Sequence, residues 1–402
     1  MSSSTQRPSF DRSLYRTQYN VGPLLQQTFT YSQYALALLD NLLDDQKHDI
    51  SSDLPLGIRS ELQQIANQVS EGFKHALKLS WSLEEFDEAF KECRDDEEEL
   101  QRRCPPPPDY PQGTPDQATS HYQPIVFVDK QDRILWAYFP GIIREKRWRD
   151  LQHACMPILN PRTESHGETI SDGFETFFKP ASFSYRPGGL RFYPAAIPSY
   201  RFPTIHYSQP SPTFKDPEMR SHALSLLESV NPDTFAIIGA VLALLNPDQF
   251  HAAFEIFEGL HTGAIWSGEK SICQDIMERW GLPFTFFDIL SNLNFPYHPR
   301  SSMRKNVLAL YLSMGDASLN SLRVPGLCRM FHFDPGSICV GFPHVFPPSW
   351  CSSDDGDQLT FVGSFTEIRF ATSRLVRDPK PMGVKEYIAY LDYVIRSQSP
   401  PT

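Results

Sequence analysis

The spacing of apolar residues predicts that the first quarter of the chain is helical. Tyr31 to Leu43 is largely apolar. A second stripe, with the three- and four-residue spacing of one helix face, consists of Leu62, Ile65, Val69, Phe73 and Leu77. Ser82 followed by Glu85 is a capping box that begins a further helix. The prolines at 105–108 end any helix, because proline has no amide hydrogen to donate. We therefore expect an N-terminal helical region at 1–103 and a Pro-rich linker at 104–121.

Short apolar runs typical of strands begin after the linker. The runs at 125–128 and 134–139 flank a polar turn and predict a hairpin. Further runs, separated by Gly, Pro and Asp, lie at 284–290, 327–333, 337–342 and 359–365. This alternation indicates a small barrel or jelly roll.

Helices are predicted between and after these runs. The stretch at 141–155 has a helical pattern, whereas 156–216 has no pattern that assigns it. Asn231-Pro232 and Asn246-Pro247 each begin a helix, and Phe235 to Leu245 is apolar all round and so should be buried. The last region, 381–402, reads as a closing amphipathic helix and a polar tail. The expected main domain is therefore 122–380.

Composition restricts the class of protein. The chain has 402 residues, 40% of them hydrophobic, and a formal net charge of −11, enough apolar content for one large domain or two. Its seven cysteines include no C-x-x-C pair, which favours reduced thiols in an intracellular protein, cytoplasmic or nuclear. The start lacks an apolar signal region, and Phe235 to Leu245 is too short to span a bilayer. We expect no membrane partner.

Motif searches leave two weak candidates. Phosphate-binding loops, the G-x-S-x-G elbow and H-E-x-x-H are absent. His332 and Asp334 have the His-x-Asp spacing of an iron site, but Asp334 runs into Pro335-Gly336 and is interpreted as a turn residue. The other candidate is a basic and aromatic segment that could contact a nucleic acid, formed by Arg144, Lys146, Arg147, Trp148 and Arg149. Glu145 and Asp150 interrupt it, and a solvated helix face is the alternative interpretation.

A series of short motifs carries a resemblance to a known family. They are Trp280-Gly281-Leu282-Pro283-Phe284, Ser291-Asn292, Pro296-Tyr297-His298, Met314-Gly315-Asp316, Val324-Pro325-Gly326-Leu327, Phe331-His332-Phe333-Asp334-Pro335-Gly336-Ser337 and Gly356-Asp357-Gln358. In order and spacing this segment resembles the TET/JBP-like 2-oxoglutarate- and iron(II)-dependent dioxygenases of nucleic acid, a family abundant in basidiomycete fungi. The resemblance implies an α+β chain with a double-stranded β-helix (jelly-roll) core, flanking helices and an N-terminal helical extension.

The resemblance also implies functional positions, and most of them are substituted. His298 falls on the first iron ligand, but Arg300 occupies the next ligand position and Pro348 the distal one. A cation and a proline cannot ligate iron(II). Gln358 falls on the arginine that binds the carboxylate of 2-oxoglutarate, and it would be a weak clamp. His344 lies four residues before Pro348, about 13 Å along a strand, too far to replace it.

These substitutions favour a catalytically degenerate dioxygenase relative that keeps its scaffold for binding a nucleic acid or a protein, without a cofactor. One alternative is an active 2-oxoglutarate dioxygenase that oxidises 5-methylpyrimidines, with iron(II) and 2-oxoglutarate bound. Another is a protein-interaction module that uses the helices of 1–103.

Overall fold

The computed structural model describes fourteen stretches of the chain, namely 16–43, 50, 53–93, 96–106, 120–121, 123–159, 188–195, 209–264, 269–292, 307–317, 320–343, 345–346, 348–351 and 356–365. Their buried apolar side chains form one hydrophobic core that extends from Tyr19 to Phe365. The predicted closing helix, His298, Arg300 and His344 lie outside the described residues.

Ten α-helices form within these stretches: α1 Pro23–Leu43, α2 Leu56–Lys74, α3 Leu83–Glu92, α4 Glu97–Arg103, α5 Glu145–Leu159, α6 Pro212–Lys215, α7 Pro217–Ser229, α8 Pro232–Leu245, α9 Pro247–His261 and α10 Lys270–Arg279. Side chains that accept from first-turn amides fix several starts. The hydroxyl of Ser82 accepts from the Glu85 amide, and the side chains of Asn231 and Asn246 cap α8 and α9. From Thr234 to its end, every residue of α8 is buried.

Twelve strands are described: β1 Leu77–Lys78, β2 Ser120–His121, β3 Ile125–Val128, β4 Ile134–Phe139, β5 Gly188–Phe192, β6 Phe286–Ser291, β7 Ala309–Gly315, β8 Ser321–Val324, β9 Arg329–His332, β10 Ile338–Gly341, β11 Ser349–Cys351 and β12 Gln358–Ser364. They form an eight-stranded sheet of order β1-β3-β4-β10-β7-β12-β6-β5 and a four-stranded sheet of order β11-β8-β9-β2. Each sheet is antiparallel except for one parallel pair, β1 with β3 and β2 with β9.

Helices and the small sheet cover opposite faces of the large sheet. Because side chains alternate across a strand, Trp136 and Tyr138 of β4 point to one face and Phe139 to the other. Trp136 and Tyr138 contact Phe331 of the small sheet. A Cβ built on Gly72 of α2 would lie 3.2 Å from the Phe139 ring, so α2 crosses the opposite face. The described chain is thus a mixed α/β structure of three layers.

The N-terminal helices belong to this layered core. The Thr28 hydroxyl of α1 donates to the Gly281 carbonyl at 2.6 Å. A Cβ on Gly239 of α8 would lie 2.5 Å from Thr28 Cγ2, so α1 and α8 cross at a point where only glycine fits. β1, which follows α2, pairs with β3. The domain boundaries drawn from the sequence stay a prediction, but the helices on both sides of 104–121 share buried contacts.

Several predicted elements are confirmed and others are corrected. The capping box at Ser82, the β3–β4 hairpin and the buried helix α8 are present. Leu77, expected on a helix face, lies in β1 because α2 ends at Lys74. Residues 120–121 of the predicted linker form β2, which pairs with β9. β5, β7, β8 and β11 were not predicted.

Among the described residues, no single helix is long and apolar enough to cross a membrane. One pair, Pro217–Ser229 with Pro232–Leu245, passes that test together but is bent by 79°.

Candidate functional site

Five residues from the family-like motifs meet at one end of the large sheet, where β6 and β7 end and β12 begins. The Asn292 side chain donates from Nδ2 to Asp357 Oδ1 at 2.8 Å and accepts the Gln358 amide hydrogen at 2.9 Å. The Asp357 carbonyl accepts from the amides of Asp316 and Ala317, at 2.9 and 3.0 Å. Gly315 has a φ of 103°, and a Cβ there would lie 2.3 Å from the Asp357 carbonyl oxygen. These contacts close the sheet end, so this part of the motif is explained by folding.

Gln358 itself has a side chain that these contacts leave out. It is 2% exposed at the start of β12, on the face of the large sheet that also carries Tyr311. Among the described residues neither Oε1 nor Nε2 has a hydrogen-bond partner. The position assigned to the cosubstrate arginine thus holds a buried neutral amide.

The described positions do not fit the iron and 2-oxoglutarate that the resemblance implies. Pro348 is buried just before β11, and proline offers no side-chain atom that ligates a metal. Gln358 brings no charge for a carboxylate. Across the described residues, no group of three or more His, Cys, Asp or Glu side chains is placed to hold a metal ion.

A row of ionisable side chains crosses the same face of the large sheet. The β-ladder registers place in one row Tyr138, Cys339, Tyr311, Val362, Asp288 and Arg191. Arg191 donates through Nε and Nη2 to the two carboxylate oxygens of Asp288, both at 2.8 Å, and its guanidinium lies 4.7 Å from the centre of the Phe286 ring. Asp288 is 4% exposed, and this two-point pairing offsets the cost of its burial.

Burial keeps the centre of the row uncharged. The pKa of Tyr311 is raised far above its usual range, mainly by desolvation and further by Cys339 and Asp288. Desolvation also raises the pKa of the Cys339 thiol well above 9. Neither group supplies a base or nucleophile near neutral pH.

Aromatic rings fill the space between the sheets beside this row. Trp136 is stacked on Tyr311 and on Phe331, at centroid distances of 6.1 and 6.5 Å, and Trp350 meets Tyr311 edge-on at 5.6 Å. A Cβ on Gly341 would lie 1.8 Å from Trp136 Cε3, so the indole lies directly on the β10 backbone. This part of the interior is packed core.

The basic segment at the start of α5 does not form a single surface. Arg147 is 7% exposed and pairs with Glu61 at 3.1 Å and with Asp233 at 3.6 Å. Asp233 also accepts the Tyr31 hydroxyl hydrogen at 2.6 Å. These contacts join α1, α2, α5 and α8, so Arg147 has a structural role.

The residues that flank Arg147 in the basic segment are divided between core and solvent. Trp148 is 6% exposed, and the Arg149 guanidinium lies over its ring at 4.7 Å. Arg149 pairs with Glu145 at 2.7 Å and with Asp316 at 3.5 Å. Arg144 and Lys146 are exposed. Nucleic-acid contact by these five residues stays a prediction, and Arg144, Lys146 and Arg149 are the three that solvent reaches.

The structure places His332 at the end of a strand and Asp334 in the turn that follows it. His332 ends β9, and its carbonyl accepts the Tyr138 hydroxyl hydrogen at 2.5 Å. Asp334 is exposed in the following turn, where its carbonyl accepts from the Ser337 amide at 3.0 Å.

The sequence reading missed the Arg191–Asp288 pair and Tyr311. A signal for the pair was present, since a single carboxylate inside the apolar run Phe286 to Leu290 needs a partner once that strand is buried. No comparable signal marked Arg191, which lies in the stretch without a recognisable pattern.

Comparisons with known proteins leave the family unassigned. No protein-family model matches the chain, and no curated protein matches it. Among solved structures, the chain is similar to NgTET1 in complex with 5mC DNA, with 8% sequence identity and a TM-score of 0.44 over 78% of this chain and 92% of that one. A similarity of this size assigns neither a family nor an activity.

Proposed function

We propose that the chain is a catalytically degenerate relative of the 2-oxoglutarate- and iron(II)-dependent dioxygenases, with a double-stranded β-helix retained for binding a nucleic acid or a protein. The observation that carries this proposal is the chemistry at the two functional positions that are described. Pro348 provides no metal ligand, and Gln358 provides an uncharged amide where a guanidinium would hold the cosubstrate.

Packing between the sheets supports the same proposal. Trp136, Tyr311, Phe331 and Trp350 interlock there, and Gly341 has no room for even a methyl group. Tyr311, a member of this cluster, and Cys339, its neighbour in the row, are held neutral by burial. Such a region stabilises a fold and offers no charged group to a reaction.

Calorimetric titration of the anaerobic protein with iron(II), and with manganese(II) as a redox-silent substitute, tests this proposal. We expect no stoichiometric binding, with or without 2-oxoglutarate. A His298→Ala variant is the matched control, because any weak heat that survives in it comes from other groups. One metal per chain, bound more tightly with 2-oxoglutarate and lost in His298→Ala, would overturn the proposal and support an active oxygenase.

The alternative of an independent N-terminal interaction module has a separate test. α1 donates a hydrogen bond to Gly281 and crosses α8 at Gly239. We therefore expect deletion of 1–104 to leave an aggregated or unfolded remainder, because buried faces of α8 and β3 lose their cover. If residues 105–402 melt cooperatively and residues 1–104 on their own capture partners, the module interpretation is correct.

A further inference from the structure

A cavity of about 240 Å³ lies between the end of α9 and one face of α10. We infer that it binds a small organic anion, with an apolar body inside the cavity and a carboxylate or phosphate group at Lys270. None of the residues that line the cavity belongs to the motifs that carry the resemblance. The inference therefore goes beyond the proposed function and is tested separately from it.

Three segments of the chain form the walls of this cavity. Residues 260–263 line it from the last turn of α9, and residues 194–195 line it from the segment that follows β5. The third wall consists of four residues with the spacing of a single helix face on α10, namely Lys270, Cys273, Gln274 and Met277.

Contacts within the protein hold these walls in place. The Cys273 thiol donates to the Pro194 carbonyl at 3.2 Å, which joins α10 to the segment after β5. The Thr262 hydroxyl donates to the Glu258 carbonyl at 2.8 Å and closes the end of α9. Ligand sites are usually formed before the ligand arrives, and walls fixed in this way meet that condition.

Burial divides the lining into an apolar interior and a polar rim. Ala195 and Met277 are 2% and 3% exposed, whereas His261, Lys270 and Gln274 are exposed. A ligand that buries an apolar body against the interior would therefore keep its polar end among these three side chains. The volume is below the range of about 300–1,000 Å³ that is usual for drug-sized ligands, so the ligand is small.

Charge at the rim selects the polar end of the ligand. None of the described residues that line the cavity is Asp or Glu, although acidic residues outnumber basic ones in the chain by 48 to 37. Glu269, the acid next to Lys270, lies 3.7 Å from Lys215, and Lys270 has no ion pair within the described part of the chain. Its ammonium group would attract an anion at the rim and repel a cation.

Equilibrium dialysis of the full chain in EDTA and low salt tests this inference without any metal. Benzoate and phenyl phosphate serve as organic anions. Benzamide is the neutral counterpart of benzoate, and inorganic phosphate is an anion without an apolar body. We expect at least one organic anion to bind at millimolar concentration, about two- to fivefold more tightly than benzamide, and to weaken as salt is added. No binding of either organic anion, or equal binding of benzamide, would overturn the inference.

Substitutions locate the binding at the cavity. Gln274→Trp puts an indole at the rim from an exposed helix position, so the melting temperature should be kept and benzoate binding lost. Lys270→Glu should weaken benzoate about fivefold or more and favour benzylamine instead. Lys74→Glu reverses the charge of an exposed lysine in α2 and is the matched control, which should bind benzoate normally. Unchanged benzoate affinity in Gln274→Trp or Lys270→Glu, or an equal loss in Lys74→Glu, would contradict the site.

Discussion

Gly341→Ala is predicted to destabilise the protein far more than a glycine-to-alanine change usually does. In a strand, alanine is normally favoured by about 0.5–1 kcal/mol, because glycine loses more backbone entropy on folding. At Gly341 the new methyl would lie 1.8 Å from Trp136 Cε3 and 2.4 Å from Cζ3. The indole is fully buried and cannot move aside, so we expect an overpacking cost of about 3 kcal/mol.

A double-mutant cycle assigns that cost to the indole. Trp136→Leu alone should cost about 3 kcal/mol through lost burial. In the double variant the alanine methyl occupies part of the space left by the indole. The double variant should therefore be destabilised by about 1–3 kcal/mol less than the sum of the two single-variant costs. Urea unfolding of the four proteins measures each free energy.

Gly57→Ala is the control for this cycle. Gly57 lies in α2, and a Cβ there meets no atom within 4 Å, so the substitution should stabilise the chain slightly. A Gly341→Ala variant as stable as the wild type, or strictly additive costs in the cycle, would refute the packed interior on which the proposed loss of catalysis partly depends.

Three further predictions concern other parts of the described chain. Arg147→Met should cost about 3 kcal/mol in urea unfolding, because Glu61 and Asp233 lose a buried partner; an unchanged midpoint would contradict this. Burial raises the pKa of Cys155 to about 12, so a thiol reagent at pH 8 should modify half-buried Cys328 before Cys155, which should react only on unfolding, as peptide mapping would show. The side-chain hydrogen bond from Arg133 lowers the pKa of Glu84 from 4.5 to about 2; its small stabilising contribution should be complete above pH 4.5 and disappear as the pH falls towards 2, and Glu84→Gln should remove that component of the acid-unfolding curve.

Local sequence signals predicted the parts of the fold that local interactions determine. Ser82 and Glu85 form their capping box within one turn, and Asn231 caps α8 through the Asp233 amide two residues away. The apolar run at 134–139 reads as a strand from its own length and composition, and a short polar turn joins it to the run at 125–128 in a hairpin. Each of these depends on residues close in sequence.

Long-range pairing explains what the sequence did not reveal. β2 is a strand only because it lies beside β9, some two hundred residues later. Arg191 has its role only because β5 pairs with β6 in a register that sets it opposite Asp288. The motifs around Asn292, Gly315 and Asp357 were recognised as a resemblance, but that they close one end of the sheet follows only from their contacts. The sequence assigned Gln358 to the cosubstrate position. That its buried amide has no hydrogen-bond partner among the described residues follows only from the structure around it.

Turnover of 2-oxoglutarate tests the central claim most directly. The full chain is incubated with iron(II), ascorbate and 2-oxoglutarate, with and without DNA containing 5-methylcytosine, and succinate is measured against the His298→Ala variant. We expect no succinate above that variant. Iron-dependent succinate that increases with the DNA and is lost in His298→Ala would show an active oxygenase and contradict the account.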